Sequence, residues 1–193
     1  MTSSARTYHH GNLREALLSA AESALAEGGD LSLRALARQV GVSHAAPRRH
    51  FADKQALLDA LAEDGFERLG AALRETASGD FEARMLGFAR EYVRFAVEHA
   101  ALLDLMWAGK HRLAAVRAAS DRAFSAPIAS IVEAQAAGEV VPGDLEQVAT
   151  VAVATFQGLA AMVNNGMLAA ADLDEIVPAT VERLLLGLRP RSS

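Results

Sequence analysis

The chain has 193 residues, of which 51% are hydrophobic but only 5% aromatic, with a formal net charge of -5 and no cysteine. This length allows one small module and one larger domain, and the excess of alanine and leucine favours helices throughout. The lack of cysteine excludes disulfides and thiolate metal sites, and because neither an export signal nor an uninterrupted apolar span is visible, we expect a cytoplasmic protein without a membrane segment.

The charges are distributed unevenly along the chain. Residues 31–54 hold five basic side chains against Asp53 alone, whereas residues 61–193 hold twelve basic against eighteen acidic side chains. The overall negative charge argues against binding to duplex DNA, but a local basic cluster reverses that argument for its own segment. A chance fluctuation on a solvated surface would give the same counts. Whether this segment binds DNA must therefore be judged from the spacing of its predicted helices.

The first predicted helix begins at Leu13 and ends at Gly28-Gly29. Its start is inferred from Asn12 and Glu15, which have the spacing of a capping box. Apolar residues then recur at steps of three and four, which predicts one buried stripe.

A short second helix follows, with Ser32 as its cap and Gly41 as its end. The turn Gly41-Val42-Ser43 leads into a third helix over residues 44–50, for which Ser43 is a cap. Two short helices joined by a tight glycine turn are the layout of a helix-turn-helix, whose second helix enters the major groove. Pro47 disfavours helical geometry at the residue before it, so this recognition helix is either shortened or begins at Pro47.

The rest of the chain is predicted to be helical as well. Asp53 caps a fourth helix from Lys54 to about Ala77, and five more helices are predicted over residues 81–99, 101–108, 111–137, 144–169 and 173–188. Gly109 is taken as a break, and Pro127 is expected to kink or divide its helix. We therefore predict an all-α protein of about nine helices, with a three-helix DNA-binding domain over residues 1–54 and a larger helical domain over residues 55–193.

The predicted recognition helix carries exposed candidates for base recognition. If Val42 and Ala46 pack inward, the outward side chains are His44, Ala45, Arg48 and Arg49. Arginine can read guanine through O6 and N7, so Arg48 is the first candidate, with the choice between Arg48 and Arg49 left open.

Residues 31–61, LSLRALARQVGVSHAAPRRHFADKQALLDAL, and residues 8–21, YHHGNLREALLSAA, resemble the TetR family of transcriptional regulators in register. The resemblance implies a homodimeric, ligand-responsive repressor that a small molecule releases from a palindromic double-stranded DNA operator. It also implies a set of DNA-binding residues, among which His50 and Lys54 contact phosphate: Arg34, Ser43, His44, Ala45, Arg48, Arg49, His50 and Lys54. Two residues depart from the family pattern, since Arg48 stands where tyrosine is usual and Pro47 where an apolar residue such as leucine is usual.

Beyond residue 80 the resemblance implies a ligand-binding and dimerisation domain, in which residues of about 145–188 form a four-helix bundle with the partner. A related subfamily carries a His-Gly pair where this chain has Gln157-Gly158. An apolar effector pocket with few polar anchors is expected. Each of its candidate residues has plain core packing as the alternative: Phe88, Tyr92, Phe95, Met106, Trp107, His111, Phe124, Phe156, Gln157 and, as a further anchor, Asn164.

Other functional classes find little support in the sequence. It contains no GxSxG, no HExxH and no phosphate-binding glycine loop, so we expect neither an enzyme nor a cofactor. His9-His10 lacks further ligands at suitable spacing, so no metal site is expected. A helical adaptor that binds protein instead of DNA remains the alternative.

Overall fold

The computed structural model describes residues 10–189 and, within them, the side chains of residues 13–189. This part of the chain is all-α and contains no strand, which confirms the predicted fold class. Its α-helices are α1 His10–Ala26, α2 Leu33–Gln39, α3 Lys54–Glu75, α4 Phe81–Glu98, α5 Ala100–Arg112, α6 Ala114–Ala123, α7 Ser125–Ala136, α8 Leu145–Asn164 and α9 Leu173–Leu188. Two short 3-10 helices lie at Pro47–Arg49 and Ala170–Asp172.

The described residues form two compact units. The first comprises residues 10–65 and 101–116, and the second comprises residues 66–100 and 117–189. Helices α3 and α6 run from one unit into the other. The domain boundary after residue 54 stays a prediction.

The first unit is built around α1, α2, the first half of α3, and α5. Its core consists of aliphatic side chains and one phenylalanine, and the fully or almost fully buried members are Leu17, Leu36, Phe51, Leu57, Leu61, Leu102, Leu103 and Met106. This unit holds every residue predicted to contact DNA.

The second unit is organised around α4, which packs against α7, α8 and α9. The amphipathic pattern of α4 explains this position, since buried residues recur along it at helical spacing: Phe81, Met85, Phe88, Ala89, Tyr92, Val93, Phe95 and Ala96. A helix with such a broad apolar face needs several neighbours to cover it.

The structure confirms two helix starts that were predicted from a local cap, those after Ser32 and Asp53. The Ser32 hydroxyl accepts from the amide of Ala35 at 3.2 Å, and the Asp53 carboxylate accepts from the amide of Ala56 at 2.8 Å. The Asp80 carboxylate caps α4 in the same way. Each cap satisfies an amide that the first turn of a helix leaves without a partner.

Two predicted boundaries are wrong. Helix α1 begins at His10, so Asn12 lies inside the helix and the predicted start at Leu13 does not occur. Helix α5 continues through Gly109 to Arg112. A side chain at Gly109 would approach Val116 to 3.3 Å and Ala62 to 3.4 Å, so this glycine allows close packing and does not end the helix.

The helix predicted over residues 111–137 is divided, as Pro127 suggested, but the break lies at Phe124, where α6 gives way to α7. Pro127 is the third residue of α7, in the first turn, where a missing amide costs no helical hydrogen bond. Helix α8 ends at Asn164, earlier than the predicted residue 169, because Gly166 adopts a φ of +71° and closes its end.

Candidate DNA interface and effector site

The turn after α2 is closed by two backbone hydrogen bonds. The amide of Gly41 donates to the carbonyl oxygen of Arg38 (3.2 Å), and the amide of Val42 donates to that of Ala37 (2.9 Å). Gly41 has a φ of +74°, in the left-handed region that strains any residue with a side chain. The predicted end of α2 is therefore confirmed, and the chain leaves the helix axis at once, as a helix-turn-helix requires.

The segment after this turn is a 3-10 helix instead of an α-helix. In an α-helix capped at Ser43, the amide of residue 47 would donate to the Ser43 carbonyl oxygen, but proline has no amide hydrogen. The amide of Ala46 donates to that oxygen instead, at 3.0 Å. Regular structure then begins at Pro47 and extends to Arg49, which confirms the alternative in which the recognition helix starts at Pro47.

Ala46 and Ser43 differ from their predicted roles. Ala46 has helical backbone angles, φ -63° and ψ -43°, despite the proline that follows it. Ser43 accepts through its carbonyl oxygen, and within the described chain no cap from its hydroxyl forms. The recognition segment is therefore held by tight backbone turns.

Buried anchors hold this segment against its own unit. Pro47 is buried and Phe51 is 3% exposed, and the 3-10 helix packs on α1 and α2. The Arg14 guanidinium lies 5.8 Å from the centre of the Phe51 ring, at cation–π distance. Val42 and Ala46 are half-buried, in keeping with the predicted inward side.

The residues predicted to contact DNA remain at the surface. His50 is half-buried, and all the others are exposed: Arg34, Ser43, His44, Ala45, Arg48, Arg49 and Lys54. Arg38 is exposed as well, although it was not among the predicted contacts. Its position one helical turn after Arg34 is the signal that could have identified it.

None of the basic side chains on this surface is engaged elsewhere in residues 13–189. The ion pairs there do not involve Arg34, Arg38, Arg48, Arg49 or Lys54. We call these five residues the basic cluster. Their guanidinium and ammonium groups are free to meet an anion without first breaking an existing pair.

One acidic side chain lies close to the basic cluster. The Asp30 carboxylate accepts from the amide of Ser32 at 2.8 Å and from its hydroxyl at 2.9 Å. These hydrogen bonds lower the pKa of Asp30, and the positive charges of Lys54 and Arg38 lower it further. Because both charges act on one carboxylate, the start of α3 and the end of α2 belong to the same positive region.

Three of the predicted effector residues come together in the second unit. The hydroxyl of Tyr92 on α4 donates to Oε1 of Gln157 on α8 at 2.7 Å. The ring of Phe124, between α6 and α7, lies 6.3 Å from the Tyr92 ring. Phe88, Phe95 and Phe156 are buried core residues of the same unit.

The other candidates lie elsewhere. Met106, Trp107 and His111 belong to the first unit, where Met106 is fully buried and His111 is exposed. Trp107 lies 5.1 Å from the Lys110 ammonium group. Asn164 at the end of α8 donates its side-chain amide to the carbonyl oxygen of Ala96 at 3.2 Å, which ties α8 to α4.

The second unit also contains a cavity of about 520 Å³ that includes none of the predicted effector residues. It is lined by Asp80, Phe81, Glu82, Gly138, Glu139, Val140, Leu185 and Arg189. Arg189 closes one side through an ion pair with Glu82 at 3.4 Å. No local sequence signal points to this cavity, since the lining residues come from the start of α4, the loop before α8 and the end of α9.

Helices α8 and α9 leave apolar side chains at the surface of the chain. Val151 is 50% exposed and Leu186 is 57% exposed. Val151, Ala154 and Gly158 are all exposed and lie on one side of α8, and nothing lies within 4 Å of the position of a Cβ at Gly158. By length and composition α8 could also cross a membrane, a test that core helices of globular proteins pass as well.

No group of histidine and acidic residues suited to a metal ion occurs among the side chains that the structure describes. The predicted pair His9-His10 lies outside the described side chains.

Two protein families match the chain. The family described as bacterial regulatory proteins, tetR family, matches residues 17–61, and the tetracyclin repressor-like C-terminal domain matches residues 85–184. Among proteins of curated function, no relative matches.

Solved structures match over nearly the whole chain. A protein of unknown function from Rhodococcus sp. RHA1 shares 45% identity over 96% of this chain and 100% of its own, with a TM-score of 0.84. A TetR family transcription regulator from Marinobacter aquaeolei VT8 shares 17% identity over 92% and 96%, with a TM-score of 0.78. The TetR family regulator PfmR from Thermus thermophilus shares 19% identity over 96% and 100%, with a TM-score of 0.68, so the last two show a common fold.

Proposed function

The chain belongs to the TetR family of bacterial regulatory proteins, and from that premise we propose that it is a homodimeric repressor that a small molecule releases from a palindromic operator. Regulators of this family bind DNA operators and dimerise, and ligand binding is typical of them. Binding to chromosomal DNA would place the protein in the cytoplasm.

The observation that carries this proposal is the exposed basic cluster beside the Gly41 turn. Duplex DNA presents closely spaced phosphates, and lysine or arginine side chains without existing partners can neutralise them at no cost in broken ion pairs. Arg34, Arg38, His50 and Lys54 are assigned to phosphates. Arg48 and Arg49, which the buried Pro47 anchors at the surface, are assigned to guanine edges in the major groove. Ser43, His44 and Ala45 complete the proposed surface.

The proposed dimer forms through residues 145–188. The exposed apolar side of α8 and Leu186 on α9 would be covered by the same surfaces of a second copy, as in a two-fold interface. Such a dimer presents two recognition segments, which predicts operator half-sites one helical turn apart, about 34 to 36 Å.

Regulation is proposed to work through differential affinity. An effector that prefers the conformation with misplaced recognition segments lowers operator affinity by the factor of that preference. The effector site is assigned to the predicted residues of the second unit, where Tyr92 contacts both Gln157 and Phe124. Met106, Trp107 and His111 belong to the first unit and are not assigned to this site.

The decisive experiment compares Arg48→Ala and Arg49→Ala with the unchanged chain on an operator selected from random duplexes. Substituting the arginine that reads guanine should lower the affinity of the chain for the operator about tenfold or more. A bidentate contact between arginine and guanine contributes about 1 to 3 kcal/mol of discrimination. Arg117→Ala is the control, because Arg117 is an exposed arginine of the second unit. Circular dichroism and sedimentation verify that fold and dimer are unchanged.

The adaptor alternative makes the opposite forecast. An adaptor would select no duplex sequence, and both arginine variants would bind DNA as weakly as the unchanged chain. That result would refute the regulator proposal.

The dimer has its own test. Val151→Asp should yield monomers in sedimentation, because a carboxylate on the proposed interface would be buried without a partner. Val132→Asp is the matched control, since Val132 on α7 is 47% exposed but lies outside residues 145–188. Equal behaviour of the two variants would remove α8 from the interface.

A further inference from the structure

Ser120 on α6 has a buried hydroxyl without a hydrogen-bond partner. The residue is 1% exposed, and its Oγ contacts neither a donor nor an acceptor among the described residues. A serine inside a helix can usually bond to the carbonyl oxygen four residues earlier, as Thr155 does to Val151 at 2.8 Å on α8. Ser120 does not, and a buried unsatisfied hydroxyl destabilises the folded chain.

Ser120 lies one helical turn before Phe124. The amide of Phe124 donates to the carbonyl oxygen of Ser120 at 3.1 Å, so the helical turn continues between them and their side chains leave the chain on the same side. The Phe124 ring contacts the Tyr92 ring at 6.3 Å. The unsatisfied hydroxyl therefore lies one helical turn from a ring that contacts Tyr92, the donor of the hydrogen bond to Gln157.

Gln157 adds a second unfilled hydrogen-bonding position. Its carbonyl oxygen accepts from the Tyr92 hydroxyl, while no described residue accepts from its amide nitrogen. Tyr92 is 3% exposed, and Phe88 and Phe95, the nearest buried aromatic residues before and after it on α4, are 3% and 5% exposed. A few hydrogen-bonding atoms among aromatic rings are the usual composition of a site for a small molecule.

We infer that Ser120, Tyr92 and Gln157 are the polar anchors of the effector site and that the effector is an uncharged, largely apolar molecule with a hydroxyl or carbonyl group. This inference rests on the proposed function and adds the class of ligand and a residue, Ser120. The Gln157 amide donates to the effector oxygen, and the Ser120 hydroxyl completes its hydrogen bonding on the effector.

The charge of the effector follows from the three anchors. Their side chains are hydroxyl and amide groups, none of which can neutralise a carboxylate or an ammonium ion. A charged ligand would lose its hydration without gaining an opposite charge, whereas a neutral oxygen needs only hydrogen bonds. Several arginines of this unit already pair with carboxylates: Arg84 with Glu133, Arg94 with Glu91 and Glu98, and Arg189 with Glu82.

The first arm of the test needs no ligand. Ser120→Ala should raise the Tm of the full chain by about 2 to 4 °C, because an unsatisfied buried hydroxyl is removed. Ser125→Ala is the matched control, since the exposed Ser125 hydroxyl already donates to the Arg122 carbonyl oxygen at 2.8 Å. A Ser120→Ala variant that gains no more than Ser125→Ala would mean that the hydroxyl is satisfied and would overturn its assignment.

The second arm uses probes that share one skeleton and differ in charge: 1-octanol, octanoate and octylamine, and 4-phenylbutanol, 4-phenylbutyrate and 4-phenylbutylamine. At least one alcohol should raise the Tm of the unchanged chain more than its two charged counterparts do. Gln157→Leu and Ser120→Ala should each reduce that shift by half or more, while Ser125→Ala keeps it. A larger shift with a charged probe, or none with either alcohol, would show the assignment to be wrong.

Operator binding is measured in the same samples without probe. If the unchanged chain binds no selected operator, the proposed function fails. If it binds the operator while no alcohol stabilises it or lowers its affinity, the regulator stands and only the neutral effector site is refuted.

Discussion

Three arginines of the second unit, Arg84, Arg122 and Arg189, differ from the arginines of the basic cluster in their partners. In the second unit Arg84 pairs with Glu133 at 3.1 Å, Arg122 pairs with Glu67, and Arg189 pairs with Glu82 at 3.4 Å. In residues 31–54 of the first unit, the side chains of the basic cluster make no ion pair within the described chain. Arginine is therefore paired with a carboxylate in the first group and has no ion-pair partner within the described chain in the second.

This difference separates a structural from a recognition role. An exposed ion pair stabilises a fold by about 1 kcal/mol at most, and a guanidinium within it must give up its carboxylate before it can bind phosphate. The five cations of the basic cluster have no ion pair that would stabilise the fold in this way, and they repel one another weakly. We therefore expect them to bind an anionic partner, and membership of the TetR family indicates that this partner is DNA.

The largest effect is expected from the turn that holds the basic cluster in place. Gly41→Ala should lower the free energy of unfolding by about 1 to 2 kcal/mol, because alanine is strained at a φ of +74°. Urea unfolding measures this change. Gly143→Ala is the control, since Gly143 has no positive φ and nothing lies within 4 Å of its Cβ position. Equal midpoints for the two variants would contradict the role of Gly41.

A smaller effect is expected from single members of the two arginine and lysine groups. Lys54→Ala should weaken operator binding less than tenfold and reduce the slope of log affinity against log salt by about 1, because one phosphate contact is lost. Arg122→Ala, which removes a paired cation, should leave affinity and slope unchanged. An equal loss for both variants would show that overall charge, and not the basic cluster, governs binding.

Local signals made much of this fold predictable from the sequence. Ser32 and Asp53 cap helices by accepting from amides three residues away, and Gly41 ends a helix through its own backbone angle. Features of this kind need no knowledge of tertiary packing. The surface position of the residues proposed to bind DNA follows from them, since the basic cluster lies on α2, just after the turn and at the start of α3.

Contacts between distant residues set the remainder. Gly109 was predicted to break a helix because the sequence does not show its close neighbours. These are Ala62 and Val116, which belong to other helices. The Tyr92–Gln157 hydrogen bond joins residues 65 positions apart, and the unsatisfied Ser120 hydroxyl becomes visible only when the residue is known to be buried. The sequence therefore predicted Tyr92 and Gln157 as separate members of the effector set, without their hydrogen bond and without Ser120.

The smallest expected effect concerns Asp30, the acidic neighbour of the basic cluster. Its pKa is lowered in the folded chain by the hydrogen bonds from Ser32 and by Lys54 and Arg38. A group with a lowered folded pKa stabilises the fold above its unfolded pKa, and that contribution is lost as the pH falls through the folded value. Asp30→Asn should therefore be less stable than the unchanged chain at pH 7, and the two should converge below the ordinary carboxyl pKa of 3.8.

Thermal unfolding of both proteins between about pH 7 and pH 3 measures this convergence. Asp144→Asn is a useful comparison, because the Asp144 carboxylate also accepts from the amide two residues later, that of Glu146 at 2.9 Å, but belongs to the second unit. Asp30→Asn alone should also bind the operator slightly more tightly at low salt, since it removes a negative charge beside Lys54 and Arg38. If Asp144→Asn produced the same gain in affinity, the electrostatic coupling of Asp30 to the basic cluster would be excluded, and Asp30 would only hold Ser32 in place before α2.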